Sequence, residues 1–534
     1  MSAKQVLFVI VIAVLVLPAL ASVPVQAQGD SGPYWPTDGW RTSTPEEQGM
    51  SSVELAALVN TIATPSMVAD SMIVIRHGYI VAEAYFDPVT MDDQHYLYSS
   101  SKSFTSALIG IAIEQGLIPG IDAKLLDLYA DHTVANVDAR KEAITVDNLL
   151  TMSSGLECDY YTATGDNNVY DTEDWVQAGL DLPMMYEPGT EFHYCNVSTM
   201  LLSGMINQTT GMSALEYANE NLFGTMGITN AAWTADAHNV NFGASELQLT
   251  PRDMAKFGYL YLHLGEWDGQ QLVPAEWVTA STMTHMKDAF PGFDYGYQWW
   301  ILPSINAYFA IGFAGQYVWV YPDKDLVFVM TSGIPDAIRI AHQAVPLIGQ
   351  LYMLTTADEA LPADAAGVTE LEAAVNAVSQ PQAQAVPVLP ALAATVSGQT
   401  YNLLTPDLLY GNRLNVRIPP GEAKTWFDTQ ALSLTFDESA EAVLTLTFVD
   451  GTTAAIPVGL DGLYRRSENR LGPVATHGAW MDDDTFRVYL KMVRDSTEYR
   501  LDMTFEQELL EIIDYEIDDA EATAILGMLV PPAE

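Results

Sequence analysis

Strand-like sequence lies at both ends of the first 360 residues and brackets a mainly helical middle. Residues Ser71–Phe86 (SMIVIRHGYIVAEAYF) predict a hairpin, because two β-rich runs flank a polar turn that contains Gly78. Residues Ala307–Ser332 contain three further runs, with a turn signal at Pro322–Asp325. A helical pattern follows over Ala337–Leu354. Strands this far apart can pair in one antiparallel sheet, so we expect an α+β domain over residues 28–356.

The composition changes near residue 357. The Ala- and Pro-rich sequence over 357–397 predicts a linker with one short helix. Apolar residues then recur with the period of two that is typical of strands. The repeating sets are Leu414, Val416 and Ile418; Leu432, Leu434 and Phe436; Leu444, Leu446 and Phe448; Phe486, Val488, Leu490 and Met492; and Tyr499, Leu501, Met503 and Phe505. We predict an antiparallel β domain, a barrel or a sandwich, over 398–520, and a C-terminal tail over 521–534.

The N-terminus has the features of an export signal. Lys4 precedes a nearly continuous apolar run over Val6–Leu20, and small residues follow it. This pattern predicts a signal peptide over 1–27 and a secreted or periplasmic protein, with an uncleaved anchor as the alternative. The only two cysteines, Cys158 and Cys195, could pair in an oxidising compartment, but their spacing does not decide this.

The net charge limits the partners that the chain can have. A formal charge of −46 disfavours binding to nucleic acid and to anionic membranes. The charge is spread along the chain, which is typical of a solvated surface rather than of a site for a cationic partner. The sequence contains no H-E-x-x-H and no G-x-x-x-x-G-K motif, so we expect neither a metal nor a nucleotide cofactor.

The sequence YLYSSSKSFTSALIG over residues 96–110 places three serines before a lysine at the start of a predicted helix. Residues three apart share a helix face, so only Ser99 has Lys102 one turn along. A serine hydroxyl needs a base, and a lysine can serve if burial lowers its pKa. The alternative is an ordinary helix cap beside a solvated lysine. Two distant motifs favour the catalytic interpretation.

Tyr194-Cys195-Asn196 lies on a predicted loop before a helix. Tyr194 could relay protons between nucleophile and leaving group, and the amide of Asn196 could hold Lys102 or a substrate carbonyl. The alternative is a buried tyrosine beside a capping asparagine. Further on, the sequence from Gly312 to Gln316 (GFAGQ) leads into a strand, where Gly315 lets a substrate approach the backbone. The backbone N–H groups of Gln316 and Ser99 could then form an oxyanion hole.

Taken in this order and at this separation, the three motifs resemble those of the class C β-lactamase-related serine hydrolases. These include D-Ala-D-Ala carboxypeptidases, β-lactamase-fold esterases and nylon-oligomer hydrolases. The stretches ITVDNLLTMSSGL, PGTEFHYCN and IGFAGQYVWVYPDKDLVFVMTS are closest to the nylon-oligomer branch. The resemblance covers residues 40–356. It implies a β-lactamase/DD-peptidase-like fold, with an antiparallel sheet, flanking helices and a helical subdomain.

The resemblance also implies roles for individual residues. Ser99 would be the acylated nucleophile, Lys102 and Tyr194 the acid–base pair, and Asn196 a supporting residue. The substrate would be a small-molecule amide or ester. Phe313 departs from the family pattern, which has a lysine or histidine there to bind a substrate carboxylate. This departure favours neutral esters or linear amides, and leaves a β-lactamase, a carboxypeptidase or a catalytically silent binding protein as alternatives.

Overall fold

A nine-stranded sheet organises the first domain. The computed structural model describes residues 34–158, 169, 172–334, 337–405, 408–409, 428–437, 439–516 and 522–531. The strands of this domain are β1 (Arg41–Thr42), β2 (Ala69–Arg76), β3 (Tyr79–Tyr85), β4 (His95–Tyr96), β5 (Ala232–Trp233), β6 (Leu247–Leu249), β7 (Glu266–Trp267), β8 (Gln270–Gln271), β9 (Met286–Phe290), β10 (Phe293–Tyr295), β11 (Trp300–Leu302), β12 (Ala307–Gly312), β13 (Gln316–Tyr321) and β14 (Leu326–Ser332). The main sheet has the order β1-β3-β2-β14-β13-β12-β11-β10-β9, so strands from both ends of the domain pair as predicted.

Helices cover both faces of this sheet. They are α1 (Ser52–Ile62), α2 (Ser101–Glu114), α3 (Leu125–Leu128), α4 (Val146–Leu150), α5 (Trp175–Leu180), α6 (Asn196–Thr210), α7 (Ala214–Ala218), α8 (Pro251–Leu262), α9 (Ala275–Ser281) and α10 (Ala337–Met353). Alternate residues of β14 belong to different cores. Leu326, Phe328 and Met330 join the cluster that includes α1 and α10, whereas Val327 and Val329 join the cluster that includes α2 and α8. Burial on two sides explains why the central strands are apolar without interruption.

The second domain is a β-barrel. Its described strands are β15 (Thr400–Leu403), β16 (Thr429–Phe436), β17 (Glu441–Phe448), β18 (Thr453–Gly459), β19 (Arg465–Asn469), β20 (Gly472–Trp480), β21 (Thr485–Met492), β22 (Glu498–Glu506), β23 (Leu509–Glu516) and β24 (Ala522–Leu529). Nine of them form a ring that closes where Gly459 of β18 pairs with His477 of β20, and β19 pairs with β20 outside it. The alternating leucines of β16 and β17 fill the interior. Closure removes exposed strand edges, and the expectation of a barrel or sandwich is confirmed as a barrel.

The prediction of a linker with one short helix over 357–397 is wrong in part. It contains two helices, α11 (Ala365–Ser379) and α12 (Ala391–Val396). Leu371 and Ala374 of α11 are buried in the core beside α1, so the first domain extends beyond residue 356. The side chain of Asp364 caps α11 by accepting a hydrogen bond from the Gly367 N–H at 2.9 Å. The sequence signal of this helix is weak, because Leu371 is the only large side chain among its fully buried residues.

The predicted tail over 521–534 is also wrong, since β24 is a strand of the barrel that pairs with β15 and β23. Leu526 and Met528 of β24 are exposed at 45% and 47%, while Ile525 of the same strand is fully buried. Apolar residues on both faces of β24 obscure the alternation that would have marked it as a strand. The predicted set Leu414, Val416 and Ile418 lies outside the described residues.

A buried charged cluster joins the barrel to the first domain. Lys491 of β21 forms a short ion pair with Asp70 of β2, and Asp70 Oδ2 lies 3.9 Å from His95 Nδ1. Asp70 and His95 have no exposed surface, and Lys491 is 7% exposed. Burial lowers the pKa of the Lys491 ammonium, but the charge and hydrogen bond of Asp70 outweigh burial, and the pKa is raised overall.

Because of this cluster, we expect His95 to make the fold sensitive to acid. Burial lowers the pKa of His95 below its usual value. The charges of Lys491 and Arg466 also lower this pKa, whereas those of Asp70 and Asp93 raise it. The neutral ring therefore stabilises the fold fully above about pH 6.5, and this contribution is lost as the pH falls through the lowered pKa. Urea unfolding of wild type and His95→Gln between pH 7.5 and 5 should show a smaller loss of stability in the variant. Parallel pH profiles would contradict this assignment.

Candidate active site

The segment that carries Ser99 is a short turn between β4 and α2. Residues Tyr98–Ser100 form one turn of 3-10 helix, and Tyr98 has a φ of +45°, which is rare for a bulky residue. Helix α2 is buried along Ser101–Ala112, and this buried stretch includes polar residues as well as apolar ones. Ser99 is partly exposed, whereas Ser100 and Ser101 are buried. Of the three consecutive serines, Ser99 alone is accessible from outside.

The hydrogen bonds of the three serines separate their roles. Lys102 Nζ donates to Ser99 Oγ at 2.9 Å. Ser100 Oγ donates to the Gln316 carbonyl at 2.8 Å, and Ser101 Oγ accepts from the Leu247 N–H at 3.3 Å. Ser100 and Ser101 therefore fasten the turn to neighbouring backbone. Only the Ser99 hydroxyl is paired with a side chain that can exchange a proton with it.

Lys102 lies between the nucleophile candidate and Tyr194. Its side chain is 1% exposed, and its Nζ also donates to the Ala244 carbonyl at 2.8 Å. The same Nζ is 4.8 Å from the centre of the Tyr194 ring. The structure thus brings together Ser99, Lys102 and Tyr194, which are 95 residues apart at most. The role of Ala244 could not be predicted from the sequence, because any residue type carries a main-chain carbonyl.

The Tyr194-Cys195-Asn196 motif precedes helix α6. Cys195 forms a disulfide with Cys158 and is turned away from the site, at 1% exposure. Asn196 is the first residue of α6, and its Oδ1 has no hydrogen-bond partner among the described residues. That oxygen is buried. The disulfide fixes the chain on both sides of Cys195 relative to the loop that ends at Cys158.

The third motif forms the tight turn between β12 and β13. Ala314 and Gly315 have φ values of +60° and +88°. A Cβ atom at Gly315 would lie 2.1 Å from Ser332 Oγ, so only glycine fits there. The Phe313 ring packs edge-on against Tyr98, with centroids 5.8 Å apart. Since Gln316 is bonded to Ser100, this turn and the Ser99 turn are adjacent.

Aromatic side chains line the region around Tyr194. Its ring stacks on Trp300 with centroids 6.0 Å apart and an interplanar angle of 16°. Phe192 and Phe290 also contact Trp300, and Phe290 is 46% exposed. Burial, and then the neighbouring Tyr194, raise the pKa of Tyr295 well above its usual value, so Tyr295 stays neutral. The surroundings of Tyr194 are therefore suited to an apolar ligand.

Two kinds of feature are absent from the described part of the chain. There, no three His, Cys, Asp or Glu side chains converge in a way that could hold a metal ion. None of the helices in the same ranges combines the length and the apolar character that crossing a membrane requires.

Known proteins resemble the first domain in sequence and in fold. The sequence profile of the Beta-lactamase family matches residues 55–348. A 6-aminohexanoate-dimer hydrolase of Paenarthrobacter ureafaciens is 27% identical over 291 residues, which are 50% of this chain and 73% of that protein. A D-aminopeptidase of Brucella anthropi is 26% identical over 190 residues, 32% of each chain. The solved structure of a putative 6-aminohexanoate-dimer hydrolase from Bacillus anthracis superposes with a TM-score of 0.50 and 21% identity, covering 59% of this chain and 87% of its own.

The family match includes all three motifs, from Ser99 through Tyr194 to Gln316, and it spans more than half of the chain. The superposed structure shows the same fold for the first domain. The chain therefore belongs to the β-lactamase family, whose members are generally serine hydrolases.

Proposed function

We propose that the protein is a serine hydrolase that cleaves an amide or ester through an acyl-enzyme on Ser99. One observation carries the proposal: Lys102, buried and oriented by the Ala244 carbonyl, lies 2.9 Å from Ser99 Oγ. An amine at this distance can take the hydroxyl proton as the oxygen attacks.

In the proposed reaction, Ser99 Oγ attacks the substrate carbonyl carbon while its proton moves to Lys102. The backbone N–H groups of Ser99 and Gln316 would stabilise the oxyanion of the tetrahedral intermediate. The proton then passes by way of Tyr194 to the leaving nitrogen or oxygen, and the scissile bond breaks. Water attacks the resulting ester in a second, equivalent step and releases the acid. The amide of Asn196 would support these steps by holding Lys102 or the substrate carbonyl.

The surroundings support a neutral and largely apolar substrate. Phe313 occupies the position at which related enzymes carry a cation, and it packs on Tyr98. Trp300 and Phe290 add aromatic surface beside Tyr194. The similar hydrolase of Paenarthrobacter ureafaciens is named for a linear amide, the 6-aminohexanoate dimer. We therefore propose short-chain esters and linear amides as substrates in preference to β-lactams and cell-wall peptides.

A substrate panel tests this order. The purified protein is assayed with p-nitrophenyl esters, the 6-aminohexanoate dimer and a chromogenic cephalosporin, each in parallel with Ser99→Ala. Turnover of an ester or linear amide that disappears in Ser99→Ala is the expected result. Turnover confined to the cephalosporin would favour the β-lactamase alternative. No turnover of any substrate, together with no covalent labelling of Ser99, would favour a silent binding protein.

Replacing Tyr194 by phenylalanine should slow both chemical steps. The ring and its stacking on Trp300 remain, whereas the hydroxyl that relays the proton is lost. We expect kcat to fall by about 10²- to 10³-fold, with little change in KM, since general acid–base groups typically contribute this much. Steady-state kinetics with the best ester of the panel measure the effect. A kcat within threefold of wild type would remove Tyr194 from the mechanism. Tyr186→Phe, on the exposed loop before Tyr194, is the matched control.

We also propose that the protein works outside the cytoplasm. The apolar run over Val6–Leu20 motivates this, together with the disulfide between Cys158 and Cys195, which persists in oxidising compartments. Mass spectrometry of the protein from an exporting host tests it. A mature N-terminus near residue 28 is expected, and an intact Met1 on a protein that stays in the cytoplasm would contradict it.

A further inference from the structure

The barrel segment Val493–Thr497, which connects β21 to β22, lies against the turn that carries Ser99. We call this segment the barrel loop. The Arg494 carbonyl accepts a hydrogen bond from the Tyr96 N–H at 3.0 Å. The Asp495 carbonyl accepts one from the Tyr98 hydroxyl at 3.4 Å, in a buried position. Tyr96 and Tyr98 immediately precede Ser99, so two successive carbonyls of the barrel loop bind the chain just before the proposed nucleophile.

The barrel loop also contacts the residues that follow β14, which pair with the third motif. Ser496 Oγ lies 3.4 Å from His95 Nδ1, with both residues buried. A Cβ atom at Gly333, which follows β14, would lie 2.3 Å from the Ser496 carbonyl oxygen. Ile334, the next residue, forms a bridge with Ala314 of the third motif. The barrel loop is thus inserted between the Ser99 turn and the end of β14.

The barrel loop is itself rigidly held. The Thr497 N–H donates to Asp495 Oδ1 at 2.9 Å, and the Met492 N–H donates to the Thr497 carbonyl at 2.8 Å. Val493 is fully buried in a small apolar cluster with Val89 and Ala475. The ion pair of Lys491 with Asp70 anchors the start of the loop in the first domain. A segment with these internal hydrogen bonds is rigid enough to hold the neighbouring Ser99 turn in place.

The Ser99 turn needs such support. A positive φ at a residue as bulky as Tyr98 costs free energy and persists only where the surrounding structure imposes it. The rings of Tyr98 and Phe313 meet within the first domain, while the Tyr98 hydroxyl is held from the barrel. Loss of the barrel contact would leave the Ser99 oxygen free to move relative to Lys102 and Gln316. Displacements of about 1 Å in such sites can reduce rates by roughly 10²-fold.

We propose that the barrel is a part of the catalytic unit, because the barrel loop holds the Ser99 turn in the geometry that acylation requires. This inference rests on the proposed function, and it makes Tyr98 and Lys491 positioning residues rather than catalytic ones. The barrel is then neither a spacer nor a separate binding module. Its docking on Asp70 and His95 determines how well Ser99 reacts.

The test uses the full chain and a fluorophosphonate probe, whose maximal rate of Ser99 labelling (kinact) and half-saturating concentration (KI) are measured separately. Tyr98→Phe removes the hydroxyl bound to Asp495, and Lys491→Met removes the buried anchor. We expect kinact to fall by about tenfold or more in both, with KI within about threefold, because alignment and not probe binding is affected. Hydrogen exchange at the Tyr96 amide should also accelerate in Lys491→Met.

Two controls separate positioning from general destabilisation. Tyr129→Phe deletes another buried tyrosine hydroxyl, which donates to the Leu201 carbonyl at 2.7 Å, and should lower the melting temperature without changing kinact. Arg494→Ala removes an exposed side chain but keeps the carbonyl that binds Tyr96, and should label like wild type. Wild-type kinact in both Tyr98→Phe and Lys491→Met would overturn this inference alone. A wild-type protein that does not label at Ser99 would overturn the proposed function, and this inference with it.

Discussion

Replacing Ser99 by alanine is expected to abolish hydrolysis, with a loss of kcat on the order of 10⁶-fold where the wild-type rate allows it to be measured. The Ser99 Oγ is the atom that forms the acyl-enzyme, and its neighbours cannot replace it. Ser100 and Ser101 are buried, and their hydroxyls are bonded to backbone groups of Gln316 and Leu247. Initial rates with the best substrate of the panel measure the loss, after removal of trace contaminating hydrolases.

Ser100→Ala is the matched control for this variant. It removes a buried hydrogen bond, which costs about 1–3 kcal/mol of folding free energy, but leaves Ser99 and Lys102 in place. We expect its kcat to stay within about tenfold of wild type, since the bond that it loses is to the Gln316 carbonyl and not to the Gln316 N–H of the proposed oxyanion hole. If Ser100→Ala were as inactive as Ser99→Ala, the assignment of the nucleophile would have no support.

The second large effect is expected for Lys102→Met, whose kcat should fall by about 10⁴-fold. Methionine fills most of the lysine's volume, but it cannot take the Ser99 proton. It also cannot donate to the Ala244 carbonyl, so some stability is lost with the activity. The loss in kcat should persist up to pH 10, because raising the pH does not replace a base that is held beside the hydroxyl.

Lys141→Met controls for the removal of a buried lysine as such. Lys141 is 1% exposed, like Lys102, and its Nζ donates to the carbonyls of Leu180 and Ala135 at 2.7 and 2.8 Å. Burial lowers the pKa of Lys141. This variant should lose stability but keep kcat within about threefold of wild type. A Lys102→Met enzyme that is no less active than Lys141→Met would exclude Lys102 as the base.

Much of the site could be predicted because its residues are close in sequence or form specific motifs. The i, i+3 relation of Ser99 and Lys102 is a property of helix geometry, and the structure reproduces it. The position of Tyr194 beside Lys102 could not be predicted from spacing, because the two residues are 92 positions apart in the chain. It followed only from the resemblance to a family with the same ordered motifs.

The remaining features depend on tertiary contacts that leave no local pattern. The Ala244 carbonyl is a main-chain group, and any residue could supply it. The helix α11 buries one large apolar side chain, Leu371, and β24 carries apolar residues on both faces, so neither shows a clear periodicity. The barrel loop reaches the Ser99 turn across almost 400 residues of chain, mainly through its own carbonyls, which sequence patterns do not distinguish.

Covalent labelling shows whether Ser99 is an activated nucleophile. Wild type, Ser99→Ala and Ser100→Ala are incubated with a fluorophosphonate, digested and analysed by mass spectrometry. We expect one adduct, on Ser99, in wild type and Ser100→Ala, and none in Ser99→Ala. An unlabelled wild type, or an adduct that persists in Ser99→Ala, would contradict this expectation.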